Sequence, residues 1–219
     1  MNGVAFFDIE GTLIRGTLSG PFLRAGRALR VFKMPAVLRA FSYSVAGTLG
    51  PRSRAVQLRW KALLTLLGGL PVADIRRVGE AAVADLQRRL KPEVVEAIRA
   101  HLTQGDTVVL ISGGLDDAAR MLAAAVGATR GEGTRVVKDA GRYWGLLATP
   151  ICRGEAKLRR AAEIARELGV DLAACTFYGD SADDIPLLAH VGVPVVVDPD
   201  RRLAREARAR GWGILTAGA

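Results

Sequence analysis

Acids, hydroxyls and glycines gather in three short stretches of this 219-residue chain: Asp8-Ile9-Glu10-Gly11-Thr12, Ser112-Gly113-Gly114 and Gly179-Asp180-Ser181-Ala182-Asp183-Asp184. Each follows a short apolar run of the buried-strand kind, Val4–Phe7, Thr107–Ile111 and Cys175–Tyr178. In open α/β sheets, sites lie beyond the carboxyl ends of the strands. Singly, a pair of acids at a strand end is as often a cap or a turn. Together, the three stretches suit phosphoryl transfer. Asp8 and Asp180, carboxylates from different strands, fit one octahedral Mg2+ whose other positions go to waters and a substrate phosphate. A carboxylate also serves as a nucleophile through an aspartyl-phosphate, which divides one hard step into two. A spacing of two in an extended segment puts Asp8 and Glu10 on the same side. One then attacks phosphorus while the other gives a proton to the leaving oxygen. Ser112 and the amides after it suit phosphate oxygens, because glycine lets the backbone approach closely. Lys157, at a helix start after Gly154, is placed to complete the charge clamp.

The elements that must position these groups follow from periodicity. Beyond the three strands above, Pro194–Val197 reads as a further buried strand. Helical spacing marks Pro92–Gln104, Leu115–Val126, Glu155–Leu168, Asp183–His190 and Arg201–Arg210. Residues 134–147 read as a hairpin turning at Asp139-Ala140-Gly141-Arg142. Strands alternating with helices predict an α/β fold, a Rossmann-like three-layer core with a parallel sheet covered on both faces. Residues 16–88 read differently, as helices without strands: Pro21 to about Phe41 with a break before Pro35, then 53–67, then a run through Ile75, Val78, Ala82 and Leu86. The expected organisation is a core of 1–15 and 89–219 with a helical cap of 16–88 inserted after the first strand. Trp60 is expected in the cap's core, with Trp144 and Trp212 packing outside it. Asp116 and Asp117 read as helix-start acids.

Charge is unevenly distributed. The chain carries 31 Lys and Arg against 22 Asp and Glu, a net of +9. Residues 11–73 hold ten bases and no acid, leaving 21 bases against 22 acids elsewhere. In that window Arg24, Arg27, Arg30 and Lys33 alternate with Phe22, Leu23, Leu29, Val31 and Phe32. A basic, apolar segment suits an interfacial helix at an anionic membrane, and an enzyme so equipped takes phosphate from a lipid or lipid precursor. The plainer alternative is a solvated face on an arginine-rich protein. Nucleic acid is disfavoured, because the aromatics follow no binding pattern. Half of the residues are apolar and 24% are charged, which is a globular composition. No apolar run reaches the roughly 18 residues of a membrane span. Met1–Glu10 lacks the basic start of a secretory signal. Two cysteines, Cys152 and Cys175, are too few for a disulfide framework, and both read as packing residues. The expected setting is cytoplasmic, with the inner membrane surface within reach of the basic segment; oligomeric state is left open.

The clusters also carry a resemblance. Asp8-Ile9-Glu10-Gly11-Thr12-Leu13 resembles the first motif of the haloacid dehalogenase superfamily. Ile111-Ser112-Gly113 resembles its second motif, Gly154-Glu155-Ala156-Lys157 its lysine motif, and Gly179-Asp180-Ser181-Ala182-Asp183-Asp184 its acidic fourth motif. All four stand in the family's order, and the later stretch, through Asp198-Pro199-Asp200, is most similar to the phosphoserine-phosphatase-like branch. That branch carries a helical cap between the first and second motifs, where the basic block lies. The resemblance implies a Mg2+-dependent phosphatase acting on a phosphate monoester. It makes Asp8 nucleophile and metal ligand, and Glu10 acid/base and metal ligand through its backbone carbonyl. Thr12, Ser112 and Gly113 bind phosphate or position the attacking groups, and Lys157 neutralises phosphoryl oxygens and Asp8. Asp180 is the second side-chain ligand, Asp184 holds metal water or orients Lys157, and Asp183 is a supporting residue. Two features depart from the branch. Glu10 stands where Asp is usual, so its longer side chain must fold back or the substrate must sit differently. Arg15-Gly16-Thr17-Leu18 lacks the acid that meets a substrate ammonium, which demotes phosphoserine below a substrate without positive charge. Phosphoserine is the alternative within this class. A weakly catalytic protein that binds membranes or polyanions on the same scaffold is the alternative outside it.

Overall fold

The structure is a computed structural model and describes residues 3–48 and 52–217. In chain order the elements are β1 (Val4–Phe7), α1 (Ser19–Ala28), α2 (Met34–Thr48), α3 (Arg52–Leu67), α4 (Val72–Gln87), α5 (Pro92–Thr103), β2 (Thr107–Leu115), α6 (Asp116–Val126), β3 (Arg130–Thr134), β4 (Val136–Asp139), β5 (Arg142–Leu147), α7 (Glu155–Glu167), β6 (Thr176–Gly179), α8 (Ile185–Leu188), β7 (Val193–Val197), α9 (Arg201–Arg210) and β8 (Gly213–Leu215). Among the described residues, six strands form one sheet in the order β3-β2-β1-β6-β7-β8. Every pairing in it is parallel.

Alternation along β1 shows how the sheet is covered. Val4 and Phe6 join an apolar cluster with Ile164 of α7, Leu188 of α8 and Leu203 of α9. Ala5 and Phe7 join one with Ile98 of α5 and Leu122 of α6. Successive side chains of a strand point to opposite faces, so helices lie on both and the core is the expected three-layer α/β sandwich. Parallel strands buried on both faces require the near-continuous apolar runs seen in β1 and β2.

Two strands had no legible signal. β3 is Arg-Gly-Glu-Gly-Thr, small and charged where strands are usually branched and apolar. Its glycines make room for α6: a Cβ at Gly131 would stand 2.3 Å from the Ala119 carbonyl oxygen. Its buried Glu132 accepts hydrogen bonds from Arg130, Arg135 and Arg160. β8 is a three-residue edge strand, too short to show a period.

Helices α1–α4 lie between β1 and α5 in the chain and contribute nothing to the sheet. The break between α1 and α2 falls at Leu29–Lys33, slightly ahead of the expected position, and Pro35 sits in the first turn of α2. The missing N–H costs nothing there. The inserted helices share a third cluster, with Phe22, Phe32, Trp60, Ile75 and Val78. Val136 and Tyr143 of the hairpin belong to it too. The hairpin turns at Ala140-Gly141, both at positive φ (45° and 73°), as a two-residue primed turn requires. The Tyr143 N–H and carbonyl bond Leu70 and Gly69, and its hydroxyl donates to Asp117 Oδ2 at 2.8 Å. Asp116 accepts the Gly133 N–H at 3.0 Å, so both acids do more than start a helix. With Tyr143 turned inward, its neighbour Trp144 faces out and is 60% exposed, contrary to the expectation that it packs. Arg24 pairs with Asp85 of α4, so part of the basic block's charge is neutralised from just beyond the acid-free window. Among the described residues, no helix is long and apolar enough to cross a membrane.

Candidate active site

β1 lies between β2 and β6, so the chain departs from it in opposite directions on its two sides. A crevice opens beyond the strand ends at such a switch point. The carboxyl ends of β1, β2 and β6 deliver Asp8, Ser112 and Asp180 to it. Asp8 is held by its own N–H, which donates to the Tyr178 carbonyl at 2.9 Å.

The centre is a charge cluster almost closed to solvent. Lys157, in the first turn of α7, donates to Asp8 Oδ1 and to Asp184 Oδ1, both at 2.6 Å. Asp8, Lys157 and Asp184 are 6%, 4% and 2% exposed. Oxygens of Asp8, Asp180 and Asp184 lie within 4.8 Å of one another. Burial pushes the Asp8 carboxyl up to about 8 against the pull of Lys157, and the charges of Asp184 and Asp180 push the same way. Burial and Asp184 push Asp180 up to about 6, while Lys157, Lys91 and the Thr12 hydroxyl pull it down. Burial works against the Lys157 ammonium, but Asp184 and Asp8 more than offset it and hold its pKa above the usual lysine value. Three carboxylates against one lysine leave a net negative, all-oxygen donor set, which is the chemistry that fits a hard divalent cation.

Local structure explains how the acids come so close. Gly11 has φ +91°, and a Cβ there would stand 2.2 Å from Asp180 Oδ2. Any other residue would thus be strained and would displace Asp180. A Cβ at Gly179 would meet Asp184 Cβ at 2.9 Å. Asp184 Oδ2 accepts from Ser181 N–H and Oγ at 3.3 and 3.2 Å, which fixes the turn after β6. The buried Thr12 hydroxyl donates to Asp180 Oδ1 at 3.4 Å. Ser112, 1% exposed, accepts the Gly114 N–H at 2.9 Å. A Cβ at Gly113 would meet Arg153 Cγ at 2.7 Å, so this glycine gives passage to the arginine stem.

Glu10 and Asp183 stand apart from the carboxylate cluster. Glu10 does not fold back on the loop: its Oε1 accepts the Leu18 N–H at 2.7 Å, at the start of α1. It lines a cavity with Gly113 and Arg153. Asp183 is outside the carboxylate group and pairs with Arg153. The sequence reading missed Arg153, and it missed Lys91, 6% exposed, whose Nζ donates to the Gly11 carbonyl and, at 2.8 Å, to Asp198 Oδ2. Lys91 precedes Pro92, and Asp198 follows β7; the contact joins residues 107 apart, which no local spacing displays. Burial raises the Cys152 and Cys175 thiols to about 11, so neither supplies a thiolate at neutral pH.

Comparison with known proteins agrees with this geometry. The haloacid dehalogenase-like hydrolase family matches residues 5–189. A probable phosphatase of Mycobacterium tuberculosis is 32% identical over 214 residues, which cover 97% of this chain and 74% of that protein. Phosphoserine phosphatase SerB1 of the same organism is 32% identical over 218 residues, 98% of this chain and 70% of that one. Among solved structures, a protein of unknown function from Bordetella pertussis superposes with a TM-score of 0.79 at 27% identity, covering 98% and 99% of the two chains. A phospho-aspartyl intermediate analogue of phosphoserine phosphatase shares the fold with a TM-score of 0.65 at 20% identity, covering 99% and 94%. The chain belongs to the haloacid dehalogenase-like hydrolase family. Within it, the chain is a phosphatase.

Proposed function

We propose that this phosphatase hydrolyses a phosphate monoester in a Mg2+-dependent reaction through an aspartyl-phosphate on Asp8. The observation that carries the reading is the buried cluster in which Lys157 bridges Asp8 and Asp184, with Asp180 alongside. Asp8, Asp180 and the Glu10 backbone carbonyl would hold the metal, with Asp184 beside them. Bound there, Mg2+ would neutralise phosphoryl charge.

Lys157 binds Asp8 through Oδ1, and the second carboxylate oxygen attacks phosphorus. The bond to the ester oxygen breaks, and the Glu10 carboxyl gives that oxygen its proton, releasing the alcohol. Water then attacks the aspartyl-phosphate, the Glu10 carboxylate takes its proton, and inorganic phosphate leaves with Asp8 restored. Lys157 offsets the charge of Asp8 and of the phosphoryl oxygens. Ser112, Gly113 and Thr12 hold the phosphate, and Asp183 steadies the Arg153 side of the site. Residues 1–15 and 89–219 carry this chemistry, and 16–88 act as a cap that selects the leaving group.

The test is phosphate release from a panel of small and lipid-linked monoesters, with and without Mg2+, by the native protein and Asp8→Asn. Release that needs both Mg2+ and Asp8 is expected. A correctly folded Asp8→Asn that still turns over refutes the mechanism, and no release from any ester favours the scaffold alternative.

A second substrate reading is phosphoserine, favoured by the name of the 32% identical SerB1. Against it, among the described residues Glu10 is the only acid lining the cavity beside the site, with Arg27, Arg59 and Arg153; a substrate ammonium would meet mostly cations. A kcat/KM for phosphoserine above that of every uncharged-alcohol ester would decide for it. Met34, Leu38 and Phe41 of α2, 52–66% exposed among Arg30, Lys33 and Arg39, favour contact with an anionic membrane from a cytoplasmic setting. Failure to co-sediment with anionic vesicles at low salt would refute that contact.

A further inference from the structure

The inserted helices line much of an open cavity of about 620 Å³, within the range of small-molecule sites. Its walls are apolar: Phe22 from α1, Val37 and Phe41 from α2, Trp60 and Leu63 from α3, and Leu86 from α4. Glu10, Gly113 and Arg153 line the cavity at the end that also borders the phosphoryl site. The cavity is therefore continuous with the active site on the Glu10 side. Resting on the mechanism proposed above, this has a directional consequence. Glu10 protonates the leaving oxygen, so whatever is attached to that oxygen extends past Glu10 into the cavity.

We infer that the cavity is the binding site for a single apolar chain carried by the leaving alcohol, so that the substrate is an amphiphilic phosphate monoester. The chemistry of the walls selects the chain. An amino acid, sugar or nucleoside placed there would bury hydroxyls or amines with few partners, and a buried polar group without a partner is costly. An alkyl, acyl or prenyl chain asks for none. The charge beside the phosphoryl site selects the head. Among the described residues, Arg27, Arg59 and Arg153 line the cavity against the single acid Glu10, and Arg153, which borders the phosphoryl site, suits a phosphate dianion. Near the same end the Thr17 and Ser19 hydroxyls, 3.0 Å apart, can meet an ester or glycerol oxygen next to the phosphate. Exposed Met34 and Leu38 continue the apolar lining outward along α2, which gives a chain a path in from an apolar phase.

The experiment measures kcat/KM for n-alkyl phosphates from methyl to dodecyl, each kept monomeric, with Mg2+. Burying each methylene is worth about 0.8 kcal/mol, so the expected rise is up to about fourfold per added CH2 until the cavity is full. Leu63→Trp, which fills the cavity, shifts the optimum to shorter chains; an optimum that does not move overturns the inference. A flat or falling profile with measurable methyl phosphate turnover overturns the inference and leaves the phosphatase reading standing. No turnover of any ester overturns that reading instead. Binding is read separately from turnover with dodecylphosphonate, which is not hydrolysed. It is expected to blue-shift tryptophan emission in the native protein and not in Trp60→Phe, where Trp144 and Trp212 remain outside the cavity. An equal shift in both proteins overturns the inference.

Discussion

Replacing Lys157 with Met tests the centre of the site, because the substitution keeps most of the volume and removes only the charge. The ammonium makes two hydrogen bonds of 2.6 Å to Asp8 and Asp184, and its side chain is 5% exposed. Removing one partner of a buried ion pair costs about 3–5 kcal/mol, because the other charge is left without compensation. A protein of this size loses about 2–4 °C of Tm per kcal/mol, so the expected fall is about 6–20 °C in EDTA at pH 8. Three features separate this account from simple damage to packing. First, the deficit widens as pH rises above about 8, because Asp8 beside Lys157 loses its proton there while Asp8 without its cation keeps it. Second, Asp8→Asn combined with Lys157→Met costs less than the sum of the two, by about 1–3 kcal/mol of coupling. Third, turnover drops at least about a hundredfold, as for loss of a transition-state charge partner. Calorimetry of the four proteins across pH, with phosphate-release assays, supplies all three. A deficit below about 1 kcal/mol, or full additivity in the cycle, refutes the reasoning.

Two further outcomes follow from the same electrostatics. Because Asp8 and Asp180 are pushed up to about 8 and about 6, protons compete with a divalent cation, and apparent Mg2+ affinity should rise with pH and level off above about 8. The sign for stability is opposite in metal-free protein: a folded-state pKa above the unfolded value of 3.8 makes stability fall as pH climbs from 4 to 8. Mg2+ should then raise Tm more at pH 8 than at pH 6; an equal rise, seen calorimetrically, contradicts it. Away from the site, burial alone would raise the Glu132 carboxyl, but Arg160 and Arg130 hold it below the usual value of 4.5. Its contribution is present above the unfolded pKa and lost as pH falls through the folded one. Glu132→Gln should therefore lose about 2–4 kcal/mol at pH 7 and little in acid; a pH-independent loss in urea unfolding argues against the pairing.

The residues that were legible in the sequence are those whose spacing is itself the mechanism. Asp8 and Glu10 are two apart, Ser112 opens a glycine pair at a strand end, and Lys157 starts a helix. The parallel sheet was legible because strands buried on both faces must be apolar throughout. What stayed hidden was hidden for physical reasons. β3 carries glycines because α6 lies on it, and packing of that kind erases the very branched residues that announce a strand. Lys91 and Asp198 meet across the sheet's end, and Arg153 reaches Asp183 past a glycine; none has a local pattern. Trp144 was misread because the hairpin's inward face had not been assigned, and its neighbour Tyr143 takes the buried side.

The same reasoning gives the longer acid a structural reason. An aspartate at position 10 would end nearer the backbone of its own loop. Glutamate is one methylene longer, and its carboxylate takes the Leu18 N–H at 2.7 Å, one of the donors a helix start leaves without an internal partner. That bond ties the proposed proton donor to α1, and α1 supplies Phe22 to the cavity wall. The group that would protonate the leaving oxygen and the surface that would receive the leaving group are thus held by one element. Motion of α1 would move acid and cavity together. On the proposed mechanism, the insertion would therefore take part in positioning the chemistry as well as in choosing what enters.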